Sequence, residues 1–448
     1  MPGFKQPSRR FTALGLLTLA IASSVVSAQA DPASDEASRQ SMMADMRASA
    51  AANDRANFDS QQRQQADAAR YSGSGGNSGS SASSSGTSTS AGGAGTGSGG
   101  YRADGPRSVV SNYTFTIHRQ ESPAALVSRL ESEAIAGNAL SAFNLGRIVY
   151  TGFDGIPRND ASARHWFGEA ARLGHPGAQS QFGHMLHDGI GGPADTAGAL
   201  DWLKKSADQG DSYGEALYGF YSIRMVVADA QAPEAIGYLT RAADKGELVA
   251  QATLGTVVYA LGVGAPADSA RSAHYSALAA AQGHAGSQVQ LARLLLTGHG
   301  VALDEAAGVS WLRKAAAQNN GEGMALLGQL AFTGKGMAQD NALGAMWFKR
   351  AADAGNPEAA GQWAQLLLGG DYGVAKDEAE GARYARISAD KGDANGQMTL
   401  ARCYYNGNGV AVDMHQALFW FRKAAAQGDA GGQQALSDPK MVEAARGQ

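Results

Sequence analysis

The sequence predicts an all-α fold, a solenoid of about eight helix-turn-helix repeats of 36–37 residues behind a disordered tail. Three columns of residues carry that expectation. An aromatic recurs at Trp166, Trp202, Tyr238, Tyr275, Trp311, Trp347, Tyr384 and Trp420, at spacings of 36 or 37 residues. Eight positions after each aromatic stands Gly174, Gly210, Gly246, Gly283, Asn319, Gly355, Gly392 or Gly428. Seven positions before it stands Asn159, Asp195, Asp268, Asp304, Asp340, Asp377 or Asp413, with Gln231 in the third copy. Self-similarity at a fixed period of this length marks stacked helical units, none of which buries its apolar face alone.

Composition agrees with such an array. Hydrophobic residues make up 44% of the 448, enough for a core that runs along the stack, and much of that share is Ala, which permits close helix packing. The net charge of −4 advertises neither nucleic acid nor an anionic membrane as partner. Cys403 is the single cysteine, so an intramolecular disulfide is excluded.

The N-terminus reads as a signal peptide over residues 1–30. Lys5, Arg9 and Arg10 precede a weakly apolar run from Ala13 to Val26, and Ala28-Gln29-Ala30 is a small-residue cleavage site. The run is too short and too rich in Ala and Ser to span a bilayer. Ser8-Arg9-Arg10-Phe11 is reminiscent of a twin-arginine signal, with the Phe one place early. Removing these residues takes away three positive charges and leaves a mildly acidic chain of −7, expected in the periplasm or outside the cell, with no transmembrane segment.

Residues 31–70 are rich in Ala and Gln, with Met42, Met43, Met46 and Phe58 too sparse for a firm amphipathic face, and are expected to be mostly disordered. Residues 71–100 are almost wholly Gly, Ser, Ala and Thr, a flexible linker spanning roughly 30 Å. Within residues 101–137, Tyr113, Phe115 and Ile117 alternate with Thr114 and Thr116, which predicts an extended segment. Ser122-Pro123 then opens a capping helix that closes at Gly137.

Residues 138–430 hold eight repeats, and 431–448 form a C-terminal cap. Each repeat has a helix A, a glycine-containing turn and a helix B that carries the aromatic. Helix A keeps a small residue at Gly146, Gly183, Gly219, Gly255, Ala292, Gly328, Ala364 and Ala401, giving clearance for the facing helix. The turn reads Tyr405-Asn406-Gly407-Asn408-Gly409-Val410 in the last copy. The Asn/Asp column is placed to N-cap helix B, the closing Gly to end it, and Pro233 to stand at the first position of the third helix B. Cassettes such as Trp420-Phe421-Arg422-Lys423-Ala424-Ala425-Ala426-Gln427-Gly428 are expected to bury the aromatic and to turn Lys and Arg to solvent.

This combination of Leu145-Gly146, a glycine turn, an Asp and the W-[FY]-x-K-A-A-x-Q-G cassette resembles the Sel-one-like (Sel1-like) repeat family, over about residues 138–430. The resemblance implies a right-handed α/α solenoid of the tetratricopeptide type, whose helices A line a concave, protein-binding face. Exported bacterial members of that family act as adaptors or regulators in the envelope. Some cysteine-rich secreted members are linked to β-lactam binding or hydrolysis, but the paired cysteines of those repeats are missing here.

Residues that carry chemistry are few. His184-Met185-Leu186-His187-Asp188 is the one compact cluster with metal-like spacing, and the sequence nominates no third ligand for it. His165, His274, His284 and His299 fall in different columns and are expected at helix ends or in turns. No P-loop, G-x-S-x-G elbow or H-E-x-x-H is present. Five tryptophans occupy the cassette column, which leaves Trp363 as the one free to face a ligand. Ile223-Arg224-Met225-Val226-Val227 replaces the glycine turn of the third repeat, and Gly369-Gly370-Asp371-Tyr372-Gly373 adds one residue in the seventh, with Tyr372 expected at the edge. The expected function is therefore an exported, non-enzymatic scaffold for a protein partner, without cofactor, metal or catalytic residue. An envelope hydrolase and a self-associating structural protein are the alternatives.

Overall fold

The computed structural model describes residues 122–153, 155–225, 232–438 and 443. The signal segment, tail, linker and Tyr113–Ile117 run lie outside the described residues, as do Val226, Val227 and Gln231. The described chain is helical from end to end, apart from turns and one antiparallel bridge between Phe153 and Ile156.

Helix α1 (Pro123–Ile135) is the N-terminal cap. Ser122 accepts a hydrogen bond from Ala125 N (3.2 Å), and Pro123 is the first helical residue. Repeat 1 pairs α2 (Ala139–Thr151) with α3 (Asp160–Arg172), and repeat 2 pairs α4 (Pro176–Asp188) with α5 (Thr196–Asp208). Repeat 3 has α6 (Ser212–Met225) and α7 (Ala232–Asp244). In repeat 4, α8 runs as Leu248–Thr253, a π-helical Leu254–Val258 and Tyr259–Leu261, before α9 (Ser269–Ala281). Repeats 5 and 6 are α10 (Ala285–Thr297) with α11 (Glu305–Ala317) and α12 (Gly321–Thr333) with α13 (Asn341–Asp353). Repeats 7 and 8 are α14 (Pro357–Gly369) with α15 (Glu378–Asp390) and α16 (Ala394–Asn406) with α17 (Met414–Ala426), followed by the short α18 (Ala430–Ala435).

The punctuation follows the sequence columns. Asn159 and the six Asp residues of their column each accept from the backbone N–H three residues on, at 2.8–3.0 Å. At the other end of helix B the closing residue takes a left-handed φ, from +61° at Asn319 to +96° at Gly283. Its N–H and the next one bond back to the small pair of the cassette, as Gly174 N to Ala171 O and His175 N to Ala170 O show, both at 3.0 Å. The small column of helix A faces helix B of its own repeat: a Cβ on Gly183 would stand 2.7 Å from Leu203, and one on Gly328 2.9 Å from Phe348.

The second glycine of the A–B turn has a further duty. A Cβ on Gly300 (φ +70°) would fall onto the backbone of Ser269 and Ala270, where α9 of the preceding repeat begins. Gly191 meets Asp160, Gly336 meets Glu305 and Gly409 meets Glu378 in the same way. In these four repeats the turn thus rests on the start of the previous helix B, with backbone against backbone.

Several expectations need correction. The large side chain that fills the core is the residue after the aromatic: Phe167, Leu203, Leu239 and Leu312 are almost wholly buried, while Trp166, Trp202, Trp311 and Trp347 are half-buried. Only Tyr238, Tyr384 and Trp420 of the aromatic column are buried. Neighbouring helix positions differ by about 100°, so the recurrent aromatic sits at the edge of the core stripe and the more variable residue beside it fills the centre. The cassette cations are exposed, as expected, and they also lie across the aromatic rings. Lys205, Arg241, Lys314, Arg350 and Lys423, each three residues after its aromatic, stand over the rings of Trp202, Tyr238, Trp311, Trp347 and Trp420 at 3.6–5.0 Å. Ile223, Arg224 and Met225 form no turn but prolong α6, and Pro233 is the second residue of α7, after Ala232.

Candidate functional site

Helices A form the tighter layer of the stack. Contacts join α4 to α6, α6 to α8, α8 to α10, α12 to α14 and α14 to α16, and no comparable contact joins successive helices B. The layer with the closer neighbours is the inner one, so the inner face is lined by helices A. The residue that follows the small residue ranges from half-buried to exposed in every repeat: Arg147, His184, Phe220, Thr256, Arg293, Gln329, Gln365 and Arg402. Its identity changes between Arg, His, Phe, Thr and Gln, whereas the small-residue column before it holds to Gly and Ala.

This display column is linked along the array. Arg293 donates to Glu322 (2.7 Å), Gln329 to Glu358 (3.1 Å) and Gln365 to Asn395 (2.7 Å), each on the next helix A. Burial pushes the Glu358 carboxyl above its usual range, the charge of Asp393 adds to this, and Arg293 opposes it. In the N-terminal half the links are aromatic. His184 Nδ1 lies 3.1 Å from the Tyr221 hydroxyl, and His187 stacks on the Tyr221 ring at 3.7 Å.

That cluster contains the sequence's metal candidates. His187 Nδ1 is 2.6 Å from Asp188 Oδ1, and His184 Nδ1 is 3.6 Å from Asp188 Oδ2. Burial lowers His184, partly offset by Asp188. Burial by itself would raise Asp188, but the hydrogen bond from His187 and the charges of both histidines outweigh it and hold the carboxylate below its usual range. The donor atoms are turned on one another and on Tyr221. Among the described residues no three His, Cys, Asp or Glu side chains are grouped to hold a metal ion.

The remaining candidates separate. Trp363 does not stand free to meet a ligand: it is buried in the core of repeats 5–8, and its Nε1 has no hydrogen-bond partner. The edge of its ring lines a cleft of about 470 Å³ with Ala345, Met346, Leu367 and the repeat 7 turn. Tyr372, exposed as expected, holds a left-handed φ of +56° there and packs edge-on against Phe332. His165 and His274 are exposed mid-helix, and His299 is exposed in its turn. Cys403 is buried, which together with the charge of Glu378 pushes its thiol up to about 11, so it is no thiolate at neutral pH.

Two features escaped the sequence reading. The first is a rung of buried amides. Gln179 donates to Ala171 O (3.2 Å) of the preceding helix B and accepts from Gln209 (2.7 Å) at the end of its own repeat. Gln251 with Gln282, Gln288 with Gln318 and Gln397 with Gln427 repeat the pairing at 2.8–2.9 Å. The cassette glutamine is therefore a clamp on helix A. The second is a pair of equivalent clefts. Pro233, Ile236 and Gly237 line a cleft of about 700 Å³ with Tyr259 and Tyr275, and Ala342, Ala345 and Met346 line the smaller one. The two trios stand 109 residues apart in the same repeat positions. Both clefts abut a 37-residue repeat. The fourth takes up its extra residue in the π segment and the seventh in its turn, so the 37-residue spacing was the available signal.

His284 is no surface histidine, since it N-caps α10. His175 and His284 cap α4 and α10 by accepting at Nδ1 from Ala178 N (3.2 Å) and Ser287 N (3.1 Å). Burial lowers both, with Asp211 opposing at His175. A cap of this kind works only with an unprotonated Nδ1. Depressed bases contribute stability that is present above the ordinary value of 6.5 and is lost as pH falls below it through the folded value. The urea midpoint is therefore expected to drop between about pH 7.5 and 5.5, and His284→Asn, whose amide caps at either pH, to lessen that drop. Equal drops in both proteins would remove His284 as the titrating group.

Comparison with known proteins gives one consistent result. The Sel1 repeat profile matches residues 139–175, 176–211, 216–247, 248–284, 285–320, 321–356, 357–393 and 394–429. Among solved structures, a protective antigen of uropathogenic Escherichia coli with an SLR fold shares 29% identity at a TM-score of 0.56, with 72% of each chain covered. A Sel1 repeat protein from Oxalobacter formigenes shares 26% identity at 0.52, over 73% of this chain and 98% of that one. No curated protein gives a significant match.

Proposed function

The chain belongs to the Sel1 repeat family, and from that premise we propose that it is an exported scaffold holding a protein partner on the inner face of its helices A, as an adaptor or regulator in the cell envelope. Sel1 repeat solenoids are in general protein-interaction scaffolds. The observation that carries the finer reading is the display column. Eight positions at one register, half-buried to exposed, vary between Arg, His, Phe, Thr and Gln, and Arg293, Gln329 and Gln365 among them reach across to the next helix A. Many shallow contacts along such a surface add up to a specific interface without covalent chemistry. The basic, apolar and small-residue sections of residues 1–30 support export. Among the described residues, no helix is long and apolar enough to cross a membrane.

The test is retention of a partner from envelope extract by the mature protein. An inner-face triple variant, Arg293→Glu with Gln329→Lys and Gln365→Lys, is expected to lose the partner. A control on exposed helix B positions, Arg313→Glu with Asp390→Lys, is expected to keep it. Loss in the control and retention in the triple would place the interface elsewhere. N-terminal sequencing of protein recovered from the envelope is expected to start at Asp31, and a retained leader would remove export from the proposal.

A further inference from the structure

We infer that repeat 4 is a compliant joint, dividing the solenoid into two stiffer blocks and letting the inner face change its curvature there. The apolar core is continuous from Val289 on α10 to Ala424 on α17. A second cluster runs from Leu126 on α1 to Tyr221 on α6, and a third, separate from it, holds Ala216 on α6 to Tyr259 on α8. Across α9 the continuity fails. Its buried apolar contacts fall into two small groups, Leu248 with Ala252 and Ala279, and Ala280 with Leu291 and Leu295.

The sequence of repeat 4 explains the gap. The column that elsewhere holds Phe167, Leu203, Leu239, Leu312, Phe348 or Phe421 holds Ser276 here. Repeat 7 has Ala385 at that register, but Trp363 and Tyr384 keep it within the C-terminal core. Ser272, Ser276 and Ser287 are fully buried, and the Ser276 hydroxyl has no hydrogen-bond partner. A buried hydroxyl without a partner weakens the interface it lies in, where a leucine would strengthen it.

Helix α8 is itself irregular on the facing side. Its extra residue is absorbed as the π segment Leu254–Val258, in which the backbone hydrogen bonds change register. Thr253 and Thr256 turn their hydroxyls onto Val249 O (2.6 Å) and Ala252 O (2.7 Å), a bond that bends helices. Gly255 sits so close to α9 that a Cβ would stand 2.6 Å from Ser276 N. Glu247, at the start of α8, makes no side-chain cap, whereas Asn138, His175, His284, Asn320, Asn356 and Asp393 all cap their helices A. In a stack held only by nearest neighbours, the weakest repeat opens first and its flanks move as blocks. This inference rests on packing alone and stands whatever partner the inner face takes.

Hydrogen exchange on the full chain, resolved by repeat and followed through a urea series, tests it. Amides of residues 249–261 are expected to exchange about ten-fold faster than those at the same positions of α4, α12 and α14. Repeats 1–3 and 5–8 are expected to lose protection at different urea concentrations. Uniform protection across repeats 4–6, with loss of the whole array in one step, would overturn the joint. A second variant deletes Thr256 and carries Ser276→Leu, which returns repeat 4 to 36 residues and restores the apolar column. Slower exchange in α8 and merged transitions are expected of it, and unchanged fast exchange would count against the joint. The wild-type profile decides the matter whether or not that variant folds.

Discussion

Gly300→Ala is expected to destabilise the array by about 3–4 kcal/mol, whereas Gly298→Ala, two residues earlier, should cost about 1–2 kcal/mol. Both glycines hold a left-handed backbone, at φ +70° and +72°, so both substitutions carry the penalty of a Cβ in that region. They differ in what the Cβ meets. At Gly298 its nearest neighbour is the Leu303 side chain at 3.4 Å, an ordinary contact. At Gly300 it would overlap the first residues of α9, and backbone at a helix start cannot step aside as a side chain can. Urea denaturation monitored by circular dichroism separates the two contributions. Equal losses would mean that conformation alone keeps glycine in the turn and that the turn-on-helix contact is looser than described.

The second large effect is expected at Glu215, which stands in the register of Gln179, Gln251 and Gln288. Its carboxylate is buried and accepts from Arg241 (2.7 Å) and Lys245 (2.8 Å), and Lys245 takes the place of the cassette glutamine. Repeat 3 has thus exchanged a neutral amide rung for an ion pair. Removing both cations, by Arg241→Ala with Lys245→Ala, leaves a buried carboxylate without compensation and is expected to cost about 3–5 kcal/mol. Glu215→Gln alone should cost no more than about 1 kcal/mol, because an amide can serve the same position in the other repeats. Adding Glu215→Gln to the double variant is expected to recover most of its loss, a coupling that a double-mutant cycle reads directly. Simple additivity would show that the three side chains do not act as one unit.

What was legible in the sequence, and what was not, follows from how each residue acts. Asn159 and the Asp column, the closing glycines and the turn glycines act on backbone within three or four residues, so their roles can be read from local spacing. Ser122 and Pro123 belong to the same class. The cassette aromatic misled because it is the most recognisable residue of the repeat, while the true core position beside it varies among Phe, Leu, Ser and Ala. The glutamine rung escaped notice because its two ends lie about thirty residues apart on different helices, although Gln179, Gln251, Gln288 and Gln397 share one register. The inner face was anticipated only as the non-repeating part of helices A. The column from Arg147 to Arg402 came into view only with the hydrogen bonds that link it to the next helix A. His184 and His187 resemble ligands because their i, i+3 spacing beside Asp188 suits a metal, and only the position of Tyr221 shows that the cluster is turned on itself.

The amide rungs and inner-face links have one more consequence, for the order in which the chain folds. The bonds described above join residues 8 apart, as in Gln179 to Ala171, up to 37 apart, as in His184 to Tyr221. Nothing among them waits for a distant terminus. A growing or translocating chain therefore holds every partner that a repeat needs once the next helix has emerged. Low sequence separation of this kind favours rapid, stepwise acquisition of structure. The serine-rich α9 is then the place where that progress should pause, because its buried apolar contacts fall into two small separate groups.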